Sequence, residues 1–264
     1  MKTLDGPLQR MLTRGLPVVA TFAVAILLWQ ALVILFGVSP FILPAPTDVA
    51  HALAAGSPLY AQNLLATLYS TVIAFVLAVS LGIVLGALVS EVRWIWRTLY
   101  PLLIAFQAMP RIALTPMIVV WFGFGYTSKI VVGVFSAFFP VFLNMVHGLQ
   151  TAEPDQITLM RSFRASRAQI FWKIKFPHAL PFLLAGANIA IIFAMLSVIV
   201  AEFLGSNVGM GFLIVNQSAQ MDAAGVFANI IILSAVGLIF HYGLQHVGKR
   251  LLFWTETESG RVDA

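Results

Sequence analysis

The sequence predicts an all-α membrane protein with about six transmembrane helices and both ends on the cytoplasmic side. Three observations carry that expectation. Hydrophobic residues make up 60% of the 264 residues and charged ones only 9%, against roughly half and a quarter in soluble domains. Several apolar runs approach or exceed the roughly 18 residues needed to cross a bilayer, and mean hydropathy is +0.96. Lys and Arg are also confined to alternate connections, the asymmetry that sets orientation.

Six runs read as spans: 17–36, 65–90, 99–122, 130–149, 180–201 and 228–247. Hydrocarbon offers backbone N–H and C=O groups no partner, so each interior is helical. Lys2, Arg10 and Arg14 precede the first run, whose length of about 20 residues favours an uncleaved span over a signal peptide. Of the 15 basic residues, 13 fall in the start, the 91–98 and 150–178 connections and the end. The opposite connections, 37–64, 123–129 and 202–227, hold only Lys129. Residues 1–16 therefore read as a cytoplasmic N-terminal segment, 17–250 as a transmembrane domain and 251–264 as a cytoplasmic tail. The pI of about 9.8 follows from this distribution and from contact with anionic membrane lipid, with no nucleic-acid partner expected.

The connection 150–178 is a charged island with five of the basic residues. Pro154 suits the first turn of a helix, and Ile157, Met160 and Phe163 recur at a spacing of three, forming one apolar face. Ser166 and Gln169 have capping-box spacing for a second helix, and Pro177 and Pro181 punctuate the start of the fifth span. The result is helix, sharp turn, helix on the cytoplasmic face. It reads either as a docking surface or as a basic loop that only obeys the orientation rule.

In the second span, Ser70, Ala74, Ala78, Gly82, Gly86 and Ser90 form a stripe of small residues at a spacing of four. It suits a seam between copies or packing within one. Arg111 reads as the one strong charge inside a span, bracketed by Pro110 and Pro116, which kink or unwind the helix, with Gln107 one turn before. It either faces a solute pathway as an anion partner or serves structure by snorkelling or pairing. Glu202 closes the fifth span and would meet an external protein or pair with an inner charge. Asn144, Asn188, Asn216 and Gln217 are polar candidates for the pathway or for interhelical hydrogen bonds.

Gly243 to Arg250 approaches the phosphate-loop pattern, but Arg250 replaces the magnesium-binding hydroxyl and no strand precedes it. No cysteine is present and the histidines are scattered, so no metal, cofactor or enzyme chemistry is expected. A secondary transporter or channel is the other transport class; it would need no docking helix and would show paired repeats with ionisable residues near midplane.

The 150–178 segment resembles the cytoplasmic loop of binding-protein-dependent ABC importer permeases, whose signature is E-A-A-x3-G-x9-I-x-L-P. Ile174-Lys175-Phe176-Pro177 matches its end with Phe for Leu. Arg164 stands at the glycine position, and Thr158, Leu159 and Met160 replace E-A-A. Ala165-Ser166, Gln169-Ile170-Phe171 and Ala179-Leu180-Pro181 extend the match. Leu43-Pro44-Ala45-Pro46, Pro110 to Pro116, Trp121-Phe122-Gly123-Phe124-Gly125, Phe138 to Asn144, Ala201-Glu202 and Gly209-Met210-Gly211 are similar to the nitrate, sulfonate and taurine branch, over roughly residues 40–250. The resemblance implies a type I ABC importer permease fold with a cytoplasmic coupling helix. It also implies a second permease copy as a homodimer, two cytoplasmic ATP-binding subunits and an external solute-binding protein. Ile157, Met160, Phe163, Arg164, Ala165, Ser166 and Gln169 would couple to the ATPase. Gln107, Pro110, Arg111, Asn144, Asn188 and Glu202 would line the pathway of a small, anionic solute of sulfonate, nitrate, taurine or vitamin-precursor type. Glycine at 164 would permit a left-handed turn, so Arg there predicts strain or another turn.

Overall fold

The computed structural model describes residues 7–107 and 109–252; residues 1–6 and 253–264 of the terminal segments lie outside the described residues. Among the described residues every regular element is helical. The chain divides into two compact units, one of residues up to Tyr60 with Ile214–Ile231, the other of Ala61–Leu213 with the residues from Ile232 onward.

The first unit contains α1 (Pro7–Leu35), α2 (Pro46–Ala55) and the adjoining ends of three further helices. Pro46 opens α2, where its missing N–H costs nothing, and the Asp48 carboxylate accepts from the Ala45 N–H at 3.1 Å. Gln30 bonds Thr47 through both its amide groups. Gln217, named above as a pathway candidate, is buried here. It donates to the Tyr60 hydroxyl and accepts from the Asn229 amide, so its polar groups are committed within the unit. Asn216 sits one residue away and bonds Gln220.

The second unit is built on α3 (Ser57–Glu91), α4 (Arg93–Gln107), α5 (Thr115–Phe122) and α6 (Tyr126–Gln150). These are followed by α7 (Pro154–Ser162), α8 (Arg167–Ile170), α9 (Phe176–Gly205), α10 (Met210–Ala219) and α11 (Ala223–Leu251). Among the described residues, four helical stretches are long and apolar enough to cross a membrane: Ser57–Glu91, Tyr126–Gln150, Arg167–Gly205 and Ala223–Leu251. Val19–Leu35 and Arg111–Phe122 are shorter apolar helices.

One sequence expectation needs correction and two are met. The break expected at the prolines of the third span is present: α4 ends at Gln107, and a short 3-10 turn, Arg111–Leu114, precedes α5. Pro110 and Pro116 each remove a donor, and the chain between them cannot hold an α ladder. Pro177 and Pro181 do not end the helix before the fifth span. Residues 171–175 form a π turn that carries α8 directly into α9. The wider turn lets the chain pass Pro177 without breaking, since the missing N–H falls where the α pattern is already relaxed. Gly243–Arg250 lies within α11, so its N–H groups serve the helix rather than a phosphate.

The small-residue stripe packs inside the chain. Ser70, Ala74 and Ala78 are fully buried. A Cβ at Gly82 would come within 2.6 Å of Val141, one at Gly86 within 2.8 Å of Met145, and one at Gly133 within 2.7 Å of Ala74. These contacts bring α3 against α6 at backbone distance. Between α6 and α9 the same device recurs, with Gly148 against Ala179 and Gly186 against the Pro140 carbonyl. Ala74, Ala78, Val141, Met145, Ala190 and Ala194 fill the core between the three helices. Large apolar side chains such as Val76, Leu81, Val84 and Val120 point outward instead, as a lipid solvent allows.

Gly82→Val is expected to destabilise the detergent-solubilised protein by about 1–3 kcal/mol, since α6 backbone leaves no room for overpacking. Leu81→Ala, on the exposed face, is expected to leave the thermal midpoint unchanged. Equal midpoints for the two variants would contradict the α3–α6 contact.

Candidate functional site

Three places in the second unit gather polar chemistry. The first is a buried ion pair that the sequence did not reveal. Lys129 and Glu202 have side chains 1% and 0% exposed, with Nζ 3.4 Å from Oε1. Lys129 was expected in a loop; it lies in the first turn of α6 and also donates to the Val208 carbonyl at 2.7 Å. Arg111 is therefore not the one internal charge.

Glu202 holds more than Lys129. It accepts from the Thr67 hydroxyl of α3 at 3.0 Å and from the Gly211 N–H at 2.9 Å. Thr67 in turn accepts from the Met210 N–H, and Asn63 accepts from the Gly209 N–H, each at 2.8 Å. The free donors of the α10 N-terminus are thus met by side chains, and the carboxylate sits at the positive end of that helix. This arrangement explains Gly209-Met210-Gly211. Gly209 has φ +127°, and a Cβ there would overlap the Glu202 carboxylate. Of the two roles open to Glu202, meeting an external protein is excluded by burial; it pairs with an inner charge.

The second place surrounds Arg111, in the 3-10 turn after the break. Its Nη1 donates to the Ser136 carbonyl at 3.0 Å, and its guanidinium lies 5.2 Å from the Phe139 ring centre and 5.9 Å from that of Phe193. Among the described residues no carboxylate pairs with it. The guanidinium opens onto a cavity of about 280 Å³, walled by Pro110, Ile112, Phe193, Leu196 and Ser197. Ser136 lies seven residues along α6 from Lys129, about 10 Å at 1.5 Å per residue, within a helix long and apolar enough to cross a membrane. A cation fixed by one carbonyl and two aromatic faces keeps donors free for an anion.

The remaining pathway candidates are dispersed. Asn144 donates to the Pro140 carbonyl at 2.8 Å and lies against Gly186, an α6–α9 contact. Asn188 lines a separate cavity with Leu184, Gln245 and Lys249, and its Oδ1 is buried without a partner. Gln107 ends α4, and its side chain lies outside the described residues.

The third place is the 150–178 elbow. Pro154 opens α7 as expected. Ser166 accepts from the Gln169 N–H at 3.3 Å while the Gln169 side chain accepts from the Ser166 N–H at 2.7 Å, the capping box read from the sequence. Between them, Ala165 N–H donates to the Met160 carbonyl and Arg164 N–H to the Arg161 carbonyl. This is the paired closure of a Schellman motif, which places Arg164 at the left-handed position. Its φ is +56°. The turn of the family glycine is kept, and Arg carries the strain.

The apolar face of α7 is divided. Ile157 and Met160 are half-buried, whereas Leu159 is 58% and Phe163 76% exposed. Residues two apart on a helix are about 200° apart around its axis. Ile157, Arg161 and Ala165 consequently line an inner face, and the outward apolar pair is Leu159 and Phe163.

A helical membrane unit with a broken span around a half-buried cation and a capped elbow has the makings of a membrane permease. The chain belongs to the binding-protein-dependent transport system inner membrane component family, whose pattern matches residues 78–253. It is similar to the formylaminopyrimidine transport permease protein ThiX of Halalkalibacterium halodurans, 33% identical over 90% of this chain and 95% of that one. It is also similar to the taurine transport system permease protein TauC of Escherichia coli K12, 29% identical over 94% and 92% of the two chains. The fold is similar to that of the MetNI methionine ABC transporter in inward-facing form, with a TM-score of 0.63 and 19% identity over 71% of this chain and 93% of that one. The resemblance to the sulfonate and taurine branch therefore holds, and the chain is a multi-pass inner-membrane permease subunit of an ABC importer of small solutes.

Two outcomes are expected. Glu202→Ala, which leaves Lys129 buried and unpaired, should cost about 3–5 kcal/mol. Lys129→Met with Glu202→Met should recover only part of this, because Thr67 and the Gly211 N–H lose their acceptor. Arg164→Gly should hold or raise the thermal midpoint and transport-coupled ATPase activity, since a non-glycine residue in the left-handed region costs about 1–2 kcal/mol. Arg164→Val should lower both. Loss of ATPase activity in Arg164→Gly would contradict the turn assignment.

Proposed function

We propose that this chain forms the membrane pathway for a small anionic solute delivered by an external binding protein, and that a separate ATPase drives it through the 150–178 elbow. The observation that carries the reading is the Arg111 guanidinium, without a carboxylate partner among the described residues, beside a cavity between membrane-length helices. Burying a cation without a carboxylate is expensive, and a passing anion offsets that cost only while bound. Taurine, named for one relative, carries a sulfonate that suits such a site; sulfonates and nitrate are the favoured substrate class.

Leu159 and Phe163 supply the apolar anchor for the ATPase, with the capping box and the Schellman turn holding the elbow rigid. The continuous helix from Arg167 to Gly205 would carry elbow movement to the Phe193–Ser197 wall of the Arg111 cavity. ATP-driven closure of two ATPases on two elbows would then switch the pathway between its two faces. A second copy of this chain would complete the pathway wall where Ile112 and Val120 are exposed. Both ends and the elbow lie on the cytoplasmic side, six crossings counting the broken third span as one. A self-sufficient transporter would leave the exposed Leu159–Phe163 pair without a role.

Arg111→Gln is expected to reduce uptake of an anionic solute by about 10- to 100-fold, the loss of a charge-assisted hydrogen bond, while ATPase docking persists. Leu159→Asp with Phe163→Asp should do the reverse, weakening ATPase docking by about 30-fold or more and leaving the fold intact. Unchanged uptake in Arg111→Gln would remove Arg111 from the pathway. Unchanged docking in the double variant would move the ATPase site elsewhere.

A further inference from the structure

The inner face of the elbow encloses the largest cavity described in the second unit, about 800 Å³ between the end of α3, α7, α8 and the π turn. Its polar lining is mostly basic: Arg161, Arg167 and Lys175. Lys175 is bound to Glu91 at 2.6 Å, whereas neither Arg161 nor Arg167 has a carboxylate partner among the described residues. The open cavity is therefore rimmed by two exposed, unneutralised guanidiniums, groups suited to phosphate oxygens. Ser90 lines it as well, and its hydroxyl is buried with no hydrogen-bond partner. Ile157 and Ile170 give the cavity apolar walls beside the cations.

Two tryptophans mark the level of this cavity. Trp94, close after Glu91, is 74% exposed, and Trp172, in the π turn with Lys175, is 63% exposed. Exposed tryptophans flanking apolar helices sit at the headgroup layer. Cations and apolar walls at that level match the parts of a phospholipid.

We propose that the Arg161–Arg167–Lys175 cavity binds the phosphate of an anionic phospholipid headgroup, wedged between the end of α3 and the inner face of the elbow. The site is distinct from the outward Leu159–Phe163 pair. A lipid held here would brace the elbow against α3 beside the Lys175–Glu91 bridge and make coupling depend on lipid composition.

The test is native mass spectrometry of the full-length chain in mild detergent with equal phosphatidylglycerol and phosphatidylcholine. Binding is read without sidedness or an ATPase partner, so a failure here leaves the docking reading untouched. Wild type is expected to retain phosphatidylglycerol preferentially, and Arg161→Gln with Arg167→Gln to weaken that retention about 30-fold. Lys249→Gln with Arg250→Gln, a basic pair on α11, is the control and should retain the lipid. Inorganic phosphate at millimolar concentration should not displace it. Equal loss in both double variants, or no preference in wild type, would overturn the site. Displacement by inorganic phosphate would overturn the lipid assignment in favour of a soluble phosphate. The thermal midpoint of each variant without lipid separates lost binding from lost folding.

Discussion

The second unit depends on one buried carboxylate. Glu202 ends a 30-residue helix and is met by a cation from α6, a hydroxyl from α3 and a backbone N–H from α10. Ionised groups so deeply buried are tolerated only when each is paired and its hydrogen-bonding capacity filled. Here the partners come from α3, α6 and α10. Satisfying one carboxylate fixes the axial position of all of them, and the glycines at 209 and 211 exist because the carboxylate occupies the space their side chains would take.

From that fixed end the helices run as rigid bodies. From Lys129 to Gln150, α6 covers about 30 Å, the thickness of the hydrocarbon layer, and its glycine contacts with α3 and α9 leave little freedom to slide. At its far end the chain enters the elbow, whose two short helices are closed by a Schellman turn and a capping box. The π turn joins the elbow to α9 without a break. On the proposed reading, force applied at Leu159 and Phe163 would be delivered along α9 to Phe193 and Ser197, the wall of the Arg111 cavity. Rigidity at Glu202 and continuity at the π turn are what make such a lever physically reasonable.

Local chemistry was legible in the sequence. The helix start at Pro154, the capping box and the break near Pro110 each rest on residues a few positions apart, and each appears in the structure. The glycine position at Arg164 was legible too, because the left-handed turn is set by helix termination rather than by the side chain that fills it. What escaped was non-local. Lys129 and Glu202 are 73 residues apart, and a lone lysine beside a glycine-rich connection has the same appearance whether it faces water or a buried acid. The stripe on α3 suits another chain or this one equally well, and the approach of Val141 and Met145 decides it. Span boundaries were short where polar residues such as Asn63 extend a helix past its apolar core, and where Pro177 was read as a stop.

The central claim is that this permease has no engine of its own and is driven by an ATPase bound to its elbow. The most direct measurement is purification of the tagged chain from its native membrane in mild detergent, with identification of the proteins retained. The account predicts a stoichiometric partner carrying a complete phosphate-binding loop, bound in the wild type. A chain that purifies alone and still supports uptake after reconstitution would contradict it.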